Sequence, residues 1–430
     1  MRIDPRDFIA PPFQACPQCH RESFGVLMIP GQHYVRRCRE CRHTARIQLP
    51  PIRKTVIYLD QFAISNMMLA LNPATDAHRA RRVDPAWLQL FRRLDHVAKV
   101  QLVVCPDSGF HWDESLVSPY YSALRRLYEL LSGGATFRDA SYIEQFQLIF
   151  AAKAWMSGQS APGFDLHARD VVDGELDRWW EKFQITANMN IPPEWLDDLR
   201  CERDRAHEIM GEVFERWQQE RPSFEDVFSE EVRAYGQQLL RGYLQHLQRF
   251  HRVLTGQEAP SLELLGTPPV RTLHEIRDAL RESGVEEQDL WPKTAEFLAS
   301  TALTHVPFLR LRCMLFAAVA RKAAAGQQRP PSRGFATDAL MVSCLLPYCE
   351  AMLVDNGIAA YLAEQPLVSE VQRYGTQVFS FNTRDGFFGF LDRIEAGASP
   401  EHLEMVRTVY GPDWGQPFET VYQQEDHENL

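Results

Sequence analysis

Short continuous apolar runs alternate with helical patterns in two separate stretches of the chain. Residues 54–60 (KTVIYLD) and 100–106 (VQLVVCP) predict buried strands, because both runs are apolar and rich in β-branched residues. The same alternation returns near the end, where AMLVD at 351–355 and QVFSF at 377–381 are separated by a helical pattern. Strands without polar alternation are typical of a parallel sheet that is covered on both faces. The pattern therefore predicts one α/β domain built from two distant stretches.

Residues 119–330 show a different pattern, in which apolar residues recur at helical spacing and strand-like alternation is rare. One helix begins after the capping signature Ser223-x-x-Asp226. Its apolar face consists of Val232, Tyr235, Leu239, Tyr243, Leu247 and Phe250. We expect a long helical insertion that divides the α/β domain. The predicted organisation is a small module at 1–50, a first α/β part at 51–118, the insertion at 119–330, and a second α/β part with a tail at 331–430.

Four of the nine cysteines form two C-x-x-C motifs, separated by eighteen residues, near the amino terminus. They are Cys16, Cys19, Cys38 and Cys41. Because each motif offers two thiolates to one tetrahedral ion, this spacing is a strong signal for Zn²⁺. Residues 23–37 predict two short strands around Pro30-Gly31, as in a zinc ribbon. With four sulfur ligands we expect the zinc to be structural; the alternative is a redox pair or disulfides, which are rare in the cytosol.

Composition and charge limit the function classes. The hydrophobic content of 45% and the charged content of 24% are typical of a globular protein. Residues 1–13 lack the basic-then-apolar pattern of a secretion signal, and the most apolar stretch, 308–319, contains Arg310 and Arg312. We therefore expect a cytoplasmic protein without a membrane partner. The net charge of −11 argues against indiscriminate coating of nucleic acid, which depends on clustered lysine and arginine.

Basic residues are nevertheless concentrated between residues 36 and 54, where seven of them stand against one acid, Glu40. This segment could follow the phosphates of a nucleic acid, or it could be a solvated surface or a docking face for the acidic remainder. Its candidate contacts are Arg36, Arg37, Arg39 and Arg42. Further candidates are Arg79, Arg81 and Arg82 after the first predicted helix, and Arg384 after the last strand. Each of these arginines has an ordinary surface role as its alternative.

Four acidic residues lie at or beside the end of an apolar run. They are Asp60 in IYLDQF, Glu114 in HWDES, Asp338 in GFATDAL and Asp355 in MLVDN. The carboxyl ends of parallel strands meet at one edge of a sheet, so we expect these side chains to converge there. Taken singly, Asp60 or Asp355 could cap the following helix, Asp338 could interact with the helix dipole, and Glu114 could be a solvated surface charge. Gathered together they repel one another unless a cation is present, and Mg²⁺ and Mn²⁺ prefer such oxygen ligands.

This set of residues resembles the PIN-domain nuclease family. That family has an Asp closing its first strand, a Glu in the helix after the second, an Asp opening a later helix and an Asp closing the next strand. The matching residues here are Asp60, Glu114, Asp338 and Asp355, and the spacing of seventeen between the last two is the most specific part. The resemblance covers only the two α/β stretches. It implies a three-layer PIN-like fold and a nuclease with one or two Mg²⁺ or Mn²⁺ ions, usually acting on RNA.

Two features depart from a minimal PIN domain. An insertion of more than two hundred residues separates the second acid from the third. The second motif also contains Asp113 beside Glu114, and Glu350 lies close in sequence to Asp355, so either neighbour could join the metal site. Since all four acidic positions are filled, the sequence favours an active enzyme. It contains no phosphate loop, G-x-S-x-G elbow or H-E-x-x-H motif that would indicate another chemistry.

Three functions stay open from the sequence. The favoured one is a metal-dependent nuclease, with RNA preferred to DNA because of the resemblance. The second is a catalytically silent PIN-like protein that binds nucleic acid or acts as a scaffold in a complex. The third is an effector, such as a toxin or an antiphage protein, that a regulatory partner or homo-oligomer formation controls through the insertion; this rests on analogy alone.

Overall fold

The structure is a computed structural model, which describes residues 5–73, 83–159, 163–182, 193–260, 267–417 and 419. The strands in this part of the chain are β1 (Ala10–Ala15), β2 (Glu22–Met28), β3 (His33–Cys38), β4 (Thr44–Gln48), β5 (Thr55–Leu59), β6 (Val103–Val104), β7 (Thr136–Phe137), β8 (Val172–Asp173), β9 (Ala351–Leu353) and β10 (Gln377–Phe379). The α-helices are α1 (Gln61–Leu71), α2 (Ala86–Lys99), α3 (Gly109–Leu116), α4 (Tyr121–Ser132), α5 (Ala140–Met156), α6 (Pro193–Glu220), α7 (Phe224–Leu254), α8 (Pro268–Glu282), α9 (Leu290–Leu298), α10 (Pro307–Ala324), α11 (Phe335–Leu345), α12 (Asn356–Leu362), α13 (Leu367–Tyr374), α14 (Arg384–Ala396) and α15 (Pro400–Tyr410).

The four apolar runs predicted as strands form one parallel sheet with the order β10-β9-β5-β6. In its centre, residues 57–59 of β5 pair with β9. The side chains of both segments are buried on both faces of the sheet, which accounts for the missing polar alternation. The prediction that two distant stretches of the chain build one α/β sheet is thus confirmed.

Helices next to the sheet determine which side chains reach its edge. α1 follows β5 directly and packs against α2 and α4. α11 precedes β9 and ends at Leu345, before the short turn that contains Pro347. Because α11 runs back towards the start of β9, its own first turn lies at the carboxyl edge of the sheet. This edge therefore receives side chains from both strand ends and helix starts.

The described residues between 119 and 330 are mainly helical, and α7 begins at the Ser223 cap, where Ser223 Oγ accepts the N–H of Asp226. The expected boundary at 119 does not coincide with a break in packing, however. α4 packs on α1, and the antiparallel pair β7–β8 adjoins the α/β part through a bridge between Asp107 and Thr136. One hydrophobic core continues through both parts. No helix in the described ranges is long and apolar enough to cross a membrane.

The strands β1–β4 form a small antiparallel sheet in chain order, which holds the four motif cysteines at one end. The predicted hairpin is confirmed as β2 and β3, and Gly31 in its turn has φ of +72°, a conformation that other residues rarely adopt. The end of this small sheet that lies away from the cysteines shares a second hydrophobic core with later parts of the chain. That core contains Val26, Ile29, Tyr34, Leu49, Val100, Trp179, Val406, Val409 and Tyr410.

Candidate metal centre

Three of the four predicted acids meet at the carboxyl edge of the parallel sheet. Asp60 directly follows β5, Asp355 follows the neighbouring β9, and Asp338 lies in the first turn of α11. One carboxylate oxygen of each lies within 4.8 Å of the others. The backbone N–H of Asp60 donates to the carbonyl of Leu353 at 2.9 Å, which fixes the two strand ends side by side. The pairing of β5 with β9 is therefore what brings distant residues into one cluster.

The electrostatics of this cluster oppose its ionisation. Asp60 is only 6% exposed, and burial together with the Asp355 carboxylate raises its pKa to about 6. The pKa of Asp338 rises further, to about 9, through burial and through the charges of Asp60, Asp355 and Glu114. A hydrogen bond between Asp338 and Asp355 acts in the same direction, because it needs the protonated form of Asp338. Without a cation, the cluster retains a proton at neutral pH.

The helix-capping alternative can be judged for the two strand-end acids. Asp60 occupies the N-cap position of α1, but its side chain makes no capping hydrogen bond. Asp355 does cap α12: its Oδ1 accepts the N–H groups of Gly357 and Ile358, the latter at 3.1 Å. Both bonds end on one oxygen, so capping is compatible with a second contact through the other. Helix capping thus accounts for the position of Asp355, whereas at Asp60 the backbone contacts with Asp355 and Phe62 only partly offset the rise in pKa caused by burial and by the Asp355 charge.

Glu114 lies beside these three aspartates rather than among them. It is half-buried in α3 and does not belong to the group whose oxygens lie within 4.8 Å, yet its charge contributes to the raised pKa of Asp338. The adjacent Asp113 is exposed, which favours Glu114 in the second motif. Glu350 lies before β9, at the opposite edge of the sheet, where its Oε2 accepts the N–H of Val56 at 2.8 Å. Glu350 therefore does not join the cluster.

His111 is buried next to β5 and has two polar partners. Its Nε2 donates to the carbonyl of Leu59 at 2.8 Å, and its Nδ1 donates to Oδ1 of Asp107 at 3.1 Å. Since a carbonyl oxygen can only accept, Nε2 is the donor in the bond to Leu59. The ring is stacked between Tyr58 and Tyr128, at centroid distances of 4.7 and 4.1 Å. This histidine is therefore held inside the protein by polar and aromatic contacts together.

Asp107 and Arg125 complete this buried network, and neither is among the site residues predicted from the sequence. Burial opposes the ionisation of Asp107, but hydrogen bonds from His111 and Arg125 outweigh it and lower its pKa to about 2. The guanidinium of Arg125 also lies over the ring of Trp112, 3.8 Å from its centroid. The four-residue spacing of Asp107 and His111 around a helix start is the signal that could have found the first of them.

The four motif cysteines form a second cluster, with sulfur atoms within 4.8 Å of one another. The Sγ atoms of Cys16 and Cys41 are 3.5 Å apart, and those of Cys19 and Cys38 are 3.6 Å apart. Tetrahedral ligands at ~2.3 Å from Zn²⁺ lie about 3.8 Å apart, so these donors fit that ion. Although burial raises the pKa of Cys38, hydrogen bonds that include one from Ser23 lower it to about 6. The cluster is therefore suited to bind Zn²⁺ through thiolate.

The predicted basic face is only partly exposed. Arg36 is fully buried, and its guanidinium donates to the carbonyls of Pro12, Phe24 and Thr408 at 3.0, 2.9 and 2.8 Å. The expectation that Arg36 contacts nucleic acid is thus corrected, because its donors face the protein interior. It lies there because alternate residues of β3 point inwards.

The other basic candidates differ in exposure. Arg39 is half-buried and donates to the carbonyl of Ile9 at 2.6 Å, Arg37 is half-buried, and Arg42 is exposed. Arg384 is half-buried and donates to the carbonyl of Phe381 at 3.1 Å. The candidates Arg79, Arg81 and Arg82 lie outside the described residues.

No protein-family model, curated protein or solved structure matches this chain. The likeness to PIN-domain nucleases therefore rests on the four acidic motifs quoted above. The chain's own geometry provides three carboxylates at a sheet edge, a cluster of four cysteines and a buried network around His111.

Proposed function

We propose that this protein is a Mg²⁺- or Mn²⁺-dependent phosphodiesterase that hydrolyses nucleic acid, with RNA preferred to DNA. The observation that carries this proposal is the convergence of Asp60, Asp338 and Asp355, whose carboxylate oxygens lie within 4.8 Å of one another. The preference for RNA comes from the resemblance to PIN-domain nucleases. A PIN-like fold is proposed on the same basis, supported by acids at the ends of adjacent parallel strands.

The energetics of the cluster favour a cation. Burial and mutual repulsion raise the pKa of Asp60 to about 6 and that of Asp338 to about 9. In the part of the chain that the structure describes, no lysine or arginine forms an ion pair with any of the three aspartates. Three oxygen ligands without sulfur or imidazole fit a hard cation such as Mg²⁺ or Mn²⁺. Such an ion would compensate the negative charge of the three aspartates.

The chemistry follows from how the ligands are held. When bound, the divalent ion would activate water and neutralise charge on the scissile phosphate and its leaving oxygen. Asp60 and Asp355 present oxygens from two adjacent strands, so their separation is set by the sheet. Asp338 approaches from α11, and Glu114 lies beside these three aspartates on α3. This arrangement supports catalysis by positioning and electrostatics, without a covalent intermediate.

The ribbon has a supporting role in this proposal. We assign structural Zn²⁺ to its four cysteines, and a reducing cytoplasm to the protein, because these thiols must stay free to bind the ion. The exposed Arg42 remains its candidate phosphate contact. A toxin or antiphage role would suit such an enzyme, although it follows from analogy alone.

Cleavage of labelled single-stranded RNA and DNA, with Mn²⁺, Mg²⁺ or a chelator, tests the proposal. Asp338→Asn is the sharpest variant, because Asp338 is already protonated in the metal-free cluster and an amide keeps its shape and neutrality. Asp385→Asn is the matched control, since Asp385 is an exposed aspartate in the first turn of another helix, α14. We expect metal-dependent cleavage of RNA that Asp338→Asn abolishes and Asp385→Asn retains.

Two other results would contradict this proposal or favour its alternative. Cleavage that survives removal of divalent ions, or that is equal in Asp338→Asn and wild type, would refute the metal-dependent site. RNA binding without cleavage by the zinc-loaded protein, in either divalent ion, would favour the catalytically silent alternative.

A further inference from the structure

We propose that His111 is a positioning residue that holds α3, and with it Glu114, against the end of β5 where Asp60 lies. This inference rests on the proposed function, since it concerns the fourth acid of the same site. It makes the geometry of the site depend on a side chain that is not itself a ligand.

The shortness of α3 is the first reason. The helix has eight residues, and isolated helices of this length are marginal in water. Its N-cap, Ser108, accepts the N–H of His111 at 3.3 Å, which orients only the first turn. The direction in which α3 presents Glu114 must therefore come from contacts with the rest of the protein. His111 and Glu114 are three residues apart, so they lie on the same helix face.

The contact of His111 with the strand is the second reason. Its Nε2 donates to the carbonyl of Leu59, the residue immediately before Asp60, at 2.8 Å. The hydrogen bond therefore joins α3 to the backbone at the point from which Asp60 projects. A displacement of this contact would change the separation of Asp60 and Glu114 directly.

The third reason is that the ring itself cannot move freely. Asp107 accepts from its Nδ1, and Arg125 of α4 donates to the same carboxylate. Tyr128, also on α4, stacks on the ring and donates through its hydroxyl to Gln61, the residue after Asp60. Both backbone neighbours of Asp60 are thus held by one buried cluster.

Both donors of His111 are already occupied, by Asp107 and by the carbonyl of Leu59. Its influence on the site therefore passes through the position of α3, not through contact with a substrate.

Binding of Mn²⁺, measured by isothermal titration calorimetry, tests the role without relying on activity. His111→Asn keeps a polar group near the Nδ1 position but loses the reach to Leu59, whereas His111→Gln can place an N–H near the Nε2 position. We expect roughly tenfold to hundredfold weaker binding in His111→Asn, as for other residues that orient metal ligands, and recovery of most of it in His111→Gln. His402→Asn is the matched control, because His402 also stacks on an aromatic ring and bonds to a carbonyl, that of Val100, at 2.7 Å. It should bind Mn²⁺ like wild type.

A double-mutant cycle separates positioning from general damage. If His111 acts through Glu114, the losses of affinity in His111→Asn and Glu114→Gln are not additive, and the double variant binds about as well as Glu114→Gln alone. Should His111→Asn fail to fold, Asp107→Asn replaces it in the cycle. That change removes the charge that holds the ring and nearly preserves side-chain volume, and we expect the same non-additivity.

The outcomes distinguish this inference from the proposed function. A wild-type protein that binds no Mn²⁺, or binds it equally well after Asp60→Asn, would refute the metal site itself. Mn²⁺ binding that requires Asp60 but is unchanged in His111→Asn, or additive with Glu114→Gln, would overturn the role of His111 alone.

Discussion

Replacement of Asp60 by asparagine should change the stability of the protein in opposite directions with and without a divalent cation. The amide keeps the shape of the carboxyl group and removes its charge. Without Mg²⁺ or Mn²⁺, this removes repulsion in the cluster, so Asp60→Asn should be more stable than wild type. With Mn²⁺, the variant lacks a ligand, so only the wild type should gain much stability from the ion.

The magnitude follows from the pKa of Asp60, which rises from the usual 3.8 to about 6. A shift of about two units corresponds to roughly 3 kcal/mol, at about 1.4 kcal/mol per unit. Asp60 is buried, so solvent screens little of this cost. The new amide leaves polar atoms without ideal partners, at about 1 to 2 kcal/mol. We therefore expect a net gain of about 1 to 2 kcal/mol in the free energy of unfolding.

The difference in stability between Asp60→Asn and wild type should depend on pH. Because the folded protein holds the Asp60 proton more tightly than the unfolded chain does, this group favours folding at low pH. That stability is lost as the pH rises from about 4 to about 6. Asp60→Asn has no such proton. Its gain in the free energy of unfolding over wild type should therefore be small near pH 4 and reach its full size above pH 7.

Urea unfolding at pH 4 and pH 8, on zinc-loaded protein free of other divalent ions, measures both effects. Asp107→Asn serves as the contrast, because hydrogen bonds lower the pKa of that buried carboxyl to about 2, and its replacement should destabilise the fold by about 2 kcal/mol. Asp60→Asn that is less stable than wild type at pH 8 without Mn²⁺ would refute the reasoning. Equal stabilisation of both proteins by Mn²⁺ would do the same.

Three further predictions concern the two clusters and the ribbon. Since the pKa of Asp338 is about 9, binding of Mn²⁺ at pH 7 should release about one proton and tighten towards pH 9. Calorimetry in buffers of different ionisation enthalpy would detect this, and identical heats would contradict it. Cys38→Ser should lose bound zinc in elemental analysis; full retention would exclude Cys38 as a ligand. Arg36→Met should lower the free energy of unfolding by about 3 kcal/mol, as measured by thermal unfolding, because three hydrogen bonds are lost. The exposed control Arg42→Met should change it little. Equal losses in the two variants would contradict the buried role of Arg36.

The parallel sheet could be predicted from the sequence because each central strand is a short apolar run bounded by polar residues. Its edge could be predicted as well, since parallel strands place their carboxyl ends together. The edge of the sheet at which Glu350 lies could not be predicted in the same way. Its closeness to Asp355 in sequence is misleading, because β9 lies between them and carries the two residues to opposite edges.

The acid of the second motif, Asp113 or Glu114, could not be chosen from the sequence for a different reason. Asp113 and Glu114 are adjacent acids on a short helix, and either could face the cluster from the sequence alone. The choice depends on how α3 is held, and that involves the bond of His111 to Leu59, 52 residues earlier in the chain. Contacts of this kind are set by the tertiary structure, so local patterns do not contain them.

The burial of Arg36 could have been predicted from the sequence, which contains the relevant pattern. Charge density suggested a solvated face, but Tyr34, Arg36 and Cys38 occupy alternate positions of one strand and share its inward side. The two-residue periodicity of the strand was a stronger signal than the density of charge. A buried arginine is tolerated here because its guanidinium donates hydrogen bonds to three carbonyl oxygens.

The second hydrophobic core has a consequence for how the chain can be divided. Its residues come from the ribbon, from Val100 after α2, from around Trp179 and from α15, and Arg36 joins the ribbon to Thr408 by a hydrogen bond. Removal of residues 1–50 would uncover the apolar faces of Val406, Val409 and Tyr410 and expose them to water. A shortened protein would therefore tend to aggregate whatever chemistry it retained. The ribbon and α15 therefore have to be expressed and engineered together.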